Sequence, residues 1–408
     1  MHEIDVAVIG AGAAGIAAAR RLRGKRRSVV LIEARNRIGG RAWTWRAGDL
    51  ALDLGCGWLH SADQNEWAAL APSLGFAVDD YPPPWARPAY QGNVSPAEQQ
   101  AYWAAWHDFY TRVDEMAATR GERRMSDCFE PGGRWNGMLG AMVTYINGAE
   151  AEKITLREYA YYRDSEVNFR VPQGYGALIE AYAAPLDIRM DCPVTLIDHA
   201  GTRLRIVTPQ GEISARAAIV AVPPGVIANE TLRFSSALPA KIEAAHALPL
   251  GIADKVFLAL ERADDLPADT RVFGSTTTIE TGSYTLRPSG KPVIEGYFGG
   301  AFARAREGEF AAFAIEQLVN ALGSDMRKRL SPLAESAWAR DPFSLGAYSY
   351  GSADARAMRA ALAAPVNERL FFAGEHCSDL DFSTAHGAYR SGVQAADEAI
   401  KALQARPA

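Results

Sequence analysis

The sequence predicts an α/β protein in which a nucleotide-binding domain, discontinuous in the chain, is interleaved with a second domain of mixed sheet and helices. Three observations predict it. A short apolar run, 6–9, leads into Gly10-Ala-Gly12-Ala-Ala14-Gly15 and an Ala-rich stretch to Leu22. A second apolar run, 28–32, ends on the acid Glu33. Far away, the C-terminus reads Leu370-Phe-Phe-Ala-Gly374-Glu375-His376 and then Ser383-Thr384-Ala385-His-Gly-Ala-Tyr-Arg-Ser-Gly392, which reads as the other half of one site.

The first segment has a direct physical reading. Residues 6–9 form the kind of run that is buried in a parallel sheet. Gly10 permits a tight turn, Gly12 lets a pyrophosphate approach the backbone, and Gly15 lets the following helix pack on the strand. The helix start offers free N–H groups and a partial positive charge to a phosphate. Glu33, at the end of the second strand, can bind ribose hydroxyls. A glycine-rich turn alone is weak. Strand, glycines, helix, strand and acid in this order make a Rossmann-type fingerprint, which does not distinguish NAD from FAD.

Further along, Pro82-Pro-Pro84 and Pro88 break the chain. Residues 95–120 read as a helix with Ser95 as N-cap and Pro96 in its first turn. Its Tyr102, Trp103, Trp106, Phe109, Tyr110 and Val113 recur at helical spacing, which points to a core-facing stripe before a substrate box. Residues 171–182 return to the nucleotide domain. Runs at 194–197, 203–207 and 218–222 read as strands, and 256–260, 283–286 and 293–298 suggest a second sheet. Residues 309–322 read as a helix, 370–373 as the last strand and 384–403 as the final helix.

Several segments carry a resemblance. Glu33-Ala34-Arg35-Asn-Arg-Ile-Gly39-Gly40-Arg41 and Asp53-Leu-Gly55-Cys-Gly57-Trp58-Leu-His60 resemble signatures of the flavin-containing amine oxidases. So do Val171-Pro-Gln-Gly174-Tyr-Gly176, Ala221-Val-Pro-Pro-Gly225, Asp254-Lys255-Val-Phe-Leu, Gly346-Ala-Tyr348-Ser-Tyr350 and the C-terminal block. The likeness runs from about residue 4 to about residue 400. It is greatest to polyamine oxidases and histone lysine demethylases, with monoamine oxidases further off. Residues 79–165 and 262–335 carry no motif.

The resemblance implies FAD, in a domain of residues 1–78, 172–250 and 345–408, with a substrate domain of 79–171 and 251–344. It assigns the cofactor to Gly10, Gly12, Ala14 and Gly15, to Glu33, Ala34 and Arg35, and to Gly39, Gly40 and Arg41. It adds Gly55, Gly57, Trp58 and Val194, and then Gly374, Glu375, Thr384 and Ala385. Glu375 matches an acid that contacts the ribityl chain, and a helix starting near Thr384 would face the pyrimidine edge. Lys255 matches a lysine that holds a water near flavin N5 and is the expected catalytic residue. Tyr348 matches one wall of an aromatic substrate cage whose other wall here is Thr384. Ala347 stands where monoamine oxidases carry a flavin-linking cysteine, so non-covalent FAD is expected. Trp58 occupies the place of a carboxylate-binding arginine in L-amino-acid oxidases, and an aromatic cannot make that bidentate contact. His60 matches a histidine at the entrance to the flavin, where it can shift the protonation of an amine.

Bulk properties agree. The 408 residues allow two domains, and 48% apolar with 22% charged is ordinary globular composition. A net charge of −5 argues against a nucleic-acid surface, and no apolar stretch approaches a membrane span. The four cysteines lack metal-like spacing, so no metal is expected, and a reduced cytoplasmic protein is the simplest reading. The first strand begins within a few residues of Met1, so no signal peptide is expected. The expected function is oxidation of a polyamine-like or other primary or secondary amine, giving an aldehyde, a smaller amine or ammonia, and hydrogen peroxide from O2. The expected assembly is a monomer or homodimer. A flavin dehydrogenase or desaturase of the protoporphyrinogen or carotenoid type is the alternative, as is a monoamine or L-amino-acid oxidase. A chromatin or scaffold protein is a third class, for which no partner-binding insertion is evident.

Overall fold

The computed structural model describes residues 4–92, 94–119 and 121–405. Its larger sheet is parallel at the centre. Ile4–Ile9 lies between Val29–Ile32 and Gly211–Val220, and Ile188–Arg189 forms one edge. The long strand Gly211–Val220 changes partner along its length. Its first half pairs antiparallel with Leu204–Thr208, which continues through Leu196–Asp198 to Arg233–Ser235. Its second half pairs parallel with Leu370–Phe372.

Register decides where the loops meet. Ile9 pairs with both Ile32 and Val220, and Val220 pairs with Phe372. Four strands, from the beginning, middle and end of the chain, therefore finish in one row. The loops at Gly10, Glu33, Ala221 and Ala373 leave the same carboxyl edge, where doubly wound sheets bind ligands.

Two helices lock this edge. Ala13–Gly24 packs against Ala385–Ala405. A Cβ on Gly15 would lie 1.8 Å from the Gly10 carbonyl oxygen, and one on Gly392 would lie 2.1 Å from the Ala14 carbonyl oxygen. Backbone approaches this close admit only glycine, so the first and last helices hold both halves of the row together.

The second sheet is antiparallel, in the order Thr270–Phe273, Ser283–Leu286, Val293–Gly299, Ala253–Leu260, Leu330–Glu335. Strand alternation divides its residues by parity. Val256, Leu258, Val272, Tyr284, Ile294 and Phe298 form a core with Phe310 and Leu318 of the helix Phe310–Leu322. The odd positions Lys255, Arg271, Ser283, Thr285, Glu295 and Tyr297 face a large cavity.

The α/β architecture expected from the sequence is present, with differences at particular elements. The third expected strand begins at Gly211, because residues 211–217 alternate in burial and form no continuous apolar run. It ends at Val220, and Pro223-Pro224 start a short helix. Val194 lies in the loop before Leu196–Asp198. Ser95 caps Pro96–Ala117 through a reciprocal bond pair with Glu98. Arg120, the expected end of that helix, lies outside the described residues. The aromatic stripe is divided. Tyr102 and Phe109 enter the core, Trp103, Trp106 and Tyr110 border the cavity, and Val113 does both. The hairpin Thr44–Ala47/Leu50–Asp53 and the strand Leu330–Glu335 were not foreseen.

Candidate functional site

One cavity of about 1180 Å³ runs from the row of strand ends to the odd face of the second sheet. That exceeds the roughly 300–1,000 Å³ of an ordinary ligand pocket. Among the residues expected at the site, all but Gly15 border it: Gly10, Gly12, Ala14, Glu33, Ala34, Arg35, Gly39, Gly40, Arg41, Gly55, Gly57, Trp58, His60, Val194, Lys255, Tyr348, Gly374, Glu375, Thr384 and Ala385. Gly15 packs the helix on the strand and stands behind the wall.

The nucleotide end is a backbone cradle. Gly12 is the N-cap of Ala13–Gly24, no side chain caps that helix, and its first turn holds no acid. Its first N–H groups are therefore free for an anion. A Cβ on Gly12 would meet no protein atom closer than 3.9 Å, so the protein itself leaves the space beside it open. Glu33 is buried, and its carboxylate accepts from Ala11 N and Arg35 N at 2.8 and 2.9 Å, with lone pairs left over. These features fit a dinucleotide.

The C-terminal block ties in through Glu375. Its carboxylate accepts from Arg41 Nη1 at 2.9 Å, Ser349 Oγ at 2.6 Å and Ser383 N at 2.9 Å. Burial alone would raise its pKa, but Arg41, His376 and Ser349 outweigh that and hold it at about 2. Thr384 Oγ1 accepts from Gly387 N at 2.9 Å and caps the helix Ala385–Ala405. Its hydroxyl is thus occupied by the fold, while the helix start faces the cavity.

The opposite wall carries charge and aromatic rings. Lys255 is buried, donates from Nζ to the Asp53 carbonyl oxygen at 2.9 Å and pairs with Glu295 at 3.0 Å. A Cβ on Gly57 would lie 3.0 Å from Nζ, so the glycine makes room for the ammonium. Two of the three Nζ hydrogens are committed, which leaves one for the cavity. Glu295 also binds Arg170 at 2.9 Å. Burial would raise its pKa, but the two cations outweigh it and keep it ionised. Tyr348 donates to the Tyr145 carbonyl oxygen at 2.8 Å and lies 3.1 Å from the Tyr297 hydroxyl. Burial holds both phenols neutral, with Tyr297 pushed up to about 12.

At the rim, Trp58 packs edge-on against Trp85, with ring centroids 4.4 Å apart, and carries Arg170 on its face at 4.3 Å. Arg170 is matched by Glu295 and Asp269, so it offers no free fork to a carboxylate. His60 Nδ1 lies 2.6 Å from Asn168 Oδ1, whose amide nitrogen is used on the Glu166 carbonyl. Oδ1 can only accept, so Nδ1 holds the hydrogen and Nε2 is left as an acceptor. Burial lowers the His60 pKa and favours the neutral ring.

A family model for flavin-containing amine oxidoreductases matches the chain in two overlapping stretches, 13–124 and 95–400. The chain belongs to this family. Polyamine oxidase 2 of Arabidopsis thaliana is 31% identical over 441 residues, covering 97% of this chain and 87% of that protein. Polyamine oxidase 4 of Oryza sativa subsp. japonica is 29% identical over 444 residues, covering 98% and 89%. A solved structure of putrescine oxidase bound to putrescine superposes with a TM-score of 0.79 at 20% identity, covering 98% of this chain and 99% of that one. The protein is therefore an oxidoreductase of a flavin-containing family, with the fold of putrescine oxidase. Among the described residues no helix is long and apolar enough to cross a membrane.

Sequence reasoning missed part of the cavity wall. Glu295, Tyr297, Tyr145 and Arg271 all border the cavity, and none lies in a recognised motif. Tyr297 pairs in register with Lys255, a relation that only the folded sheet displays. Trp103, Trp106 and Tyr110 were visible as a stripe, but spacing cannot say which edge of a stripe faces a cavity.

Proposed function

We propose that the cavity holds FAD non-covalently and that the enzyme oxidises an extended primary or secondary amine, polyamine-like in preference to a free L-amino acid. The observation that carries this is the continuity of one cavity from an uncapped glycine cradle to a lysine- and tyrosine-lined wall. FAD, when bound, supplies the acceptor for a hydride from the amine Cα and passes the electrons to O2 as hydrogen peroxide.

The chain's own residues prepare the amine. The neutral phenols of Tyr348 and Tyr297 offer ring faces and leave the reacting nitrogen unpaired by any fixed anion. His60 Nε2, kept unprotonated by burial, accepts a hydrogen bond from an arriving ammonium, and the proton itself is lost to solvent as pH rises, because only the neutral amine can give up a hydride. The remaining Nζ hydrogen of Lys255 holds a water on the cavity side, where it serves proton movement or oxygen reduction. Ala347 offers no thiol for a flavin thioether. The Cys56 thiol, which borders the cavity, is pushed up to about 12, first by burial and then by Asp53. Trp58 and the matched Arg170 supply no carboxylate site beside the reacting amine.

Purified protein denatured in acid should release FAD, one per chain. Flavin that stays on the polypeptide overturns the non-covalent reading. In an amine panel followed by anaerobic flavin bleaching and by peroxide formation in air, extended amines should outperform L-amino acids, and rates should rise with pH. A free L-amino acid as best substrate, or reduced flavin indifferent to oxygen, would overturn the substrate or the oxidase assignment respectively.

A further inference from the structure

Among the described residues, the cations on the cavity wall are matched, with one exception. Arg41 has Glu375, Arg35 has Asp341, and Lys255 and Arg170 share Glu295, with Asp269 as a further partner of Arg170. Arg271 borders the same cavity and is only 5% exposed. Its Nε donates to Ser283 Oγ at 3.2 Å and Nη2 points at the Met142 sulfur. Nη1 is buried and makes no hydrogen bond of ordinary geometry, and the Tyr102 hydroxyl beside the guanidinium makes none either. Its ionic surroundings are the neutral phenols of Tyr102 and Tyr145, and among the described residues no carboxylate pairs with it. Asp114, Asp164 and Glu166 border the cavity too, and none of them pairs with Arg271.

A buried guanidinium with an idle nitrogen is costly unless something completes it. The completing group must enter through the cavity, because the guanidinium's other neighbours are the Phe273 ring at 4.6 Å, Met142 and the two phenols. Ser283 and Thr285, on the neighbouring strand and the same face, add hydroxyls beside it.

Its position sets the length of the ligand. Arg271 pairs in register with Thr285, Thr285 with Glu295, and Glu295 with Phe257 on the Lys255 strand. Three strand spacings put it roughly 14 Å from that strand. We propose that Arg271 is a distal anion subsite, and that the preferred substrate is an extended amine whose far end carries a carboxylate. The substrate class rests on the amine-oxidase reading above and narrows it, from polyamine-like amines in general to extended amines whose far end is anionic; the subsite itself does not rest on that reading. A carboxylate suits the planar fork and can bind it through two parallel bonds. A second ammonium there would meet uncompensated positive charge in a poorly screened place. The carboxylate belongs at the far end because Trp58 and the matched Arg170 leave no site for one beside the reacting nitrogen.

The test compares ω-aminocarboxylates of graded chain length with the equal-length monoamines, diamines and N-acylated diamines. The readout is the second-order rate of anaerobic flavin reduction by the holoenzyme. The aminocarboxylate should exceed each of the others at least about tenfold at one best length, and in Arg271→Gln the ratio should fall to about one. Arg271→Lys keeps the charge without the fork and should give an intermediate ratio. In parallel, straight-chain monocarboxylates, which contain no amine, are titrated by calorimetry. They should bind wild type about 10- to 100-fold more tightly than Arg271→Gln. A wild-type ratio near one, a ratio that survives the substitution, or an N-acylated diamine as best substrate overturns the proposal. The wild-type comparison decides even where a variant does not fold. Carboxylates that bind through Arg271 in a protein no amine can reduce would sink the amine-oxidase reading and leave the anion subsite standing.

Discussion

Around Gly10, Gly12 and Gly40 the cavity wall is backbone stripped of side chains, whereas across the second sheet it is long side chains mounted on unbroken strands. The first region recognises by closeness. Free N–H groups and a missing Cβ allow phosphate to touch the main chain, and a substituent anywhere in the cradle is felt at once. The second region recognises by charge placement. Lys255, Glu295 and Arg271 stand on three strands in fixed register, and each can change while the sheet stays. The same fold thus presents a rigid end for a cofactor and an adjustable end for a substrate.

The largest test of this contrast lies within a single glycine motif. Gly15→Ala forces a Cβ to 1.8 Å from the Gly10 carbonyl and should cost about 3 kcal/mol or more of stability. Gly12→Val brings its Cβ no closer than 3.9 Å to the protein, at the Gly39 carbonyl oxygen, so the fold should survive within about 1 kcal/mol while flavin is lost. Thermal unfolding and flavin content measured on both variants separate the two. Flavin retained in Gly12→Val, or an unaltered melting temperature in Gly15→Ala, would break the distinction between packing glycine and cradle glycine.

At the side-chain end the expected effect falls on rate and spares cofactor content. Lys255→Met keeps the stem and removes the ammonium, and Glu295 retains Arg170 as partner. FAD should stay bound. One half-reaction, flavin reduction by amine or reoxidation by oxygen, should slow by about 100-fold, the scale of one positioned proton-handling group. Stopped-flow traces of both half-reactions matching wild type would return Lys255 to a purely structural ion pair.

This contrast also explains what could be foreseen. The cradle was legible because its logic is local: a strand, three glycines and an acid keep their meaning at fixed spacing. The C-terminal block was legible as motif, but its link to Arg41 through Glu375 spans the whole chain and appears only in three dimensions. Glu295 and Tyr297 sit in a run that reads as ordinary strand, and nothing in their spacing shows that Lys255 is the neighbour across the ladder. Arg271 was invisible for the same reason, since an arginine in a strand is usually solvated or paired, and its lack of a carboxylate partner depends on side chains far away in the sequence. The divided stripe on Pro96–Ala117 makes the point on one helix, where Phe109 and Tyr110 are adjacent in sequence and face different surroundings.

The smallest expected effect sharpens the comparison through pH. Behind the cavity wall, on the other face of the Lys255 strand, Asp254 is fully buried. Its Oδ1 accepts from Ser336 Oγ at 2.7 Å, and its Oδ2 has no partner. Burial, reinforced by the Glu307 carboxylate, pushes its pKa up to about 7 against the Ser336 bond. An acid raised in the folded state contributes stability below its unfolded value of about 3.9, and that contribution is lost as pH rises through about 7. Glu375 at the nucleotide end has the opposite sign, since its contribution is present above the ordinary glutamate value and lost only as pH falls towards about 2. Between pH 5 and pH 8 the side-chain end should therefore weaken while the nucleotide end holds. Asp254→Asn cannot ionise and can donate into Glu307. It should melt close to wild type at pH 5 and above it at pH 8, by a free energy on the order of 2–4 kcal/mol. Melting curves across that range, with flavin fluorescence followed separately from the global transition, test both parts. Parallel pH profiles for the two proteins would show that Asp254 stays ionised through folding, and the buried carboxyl would then need a partner other than a proton.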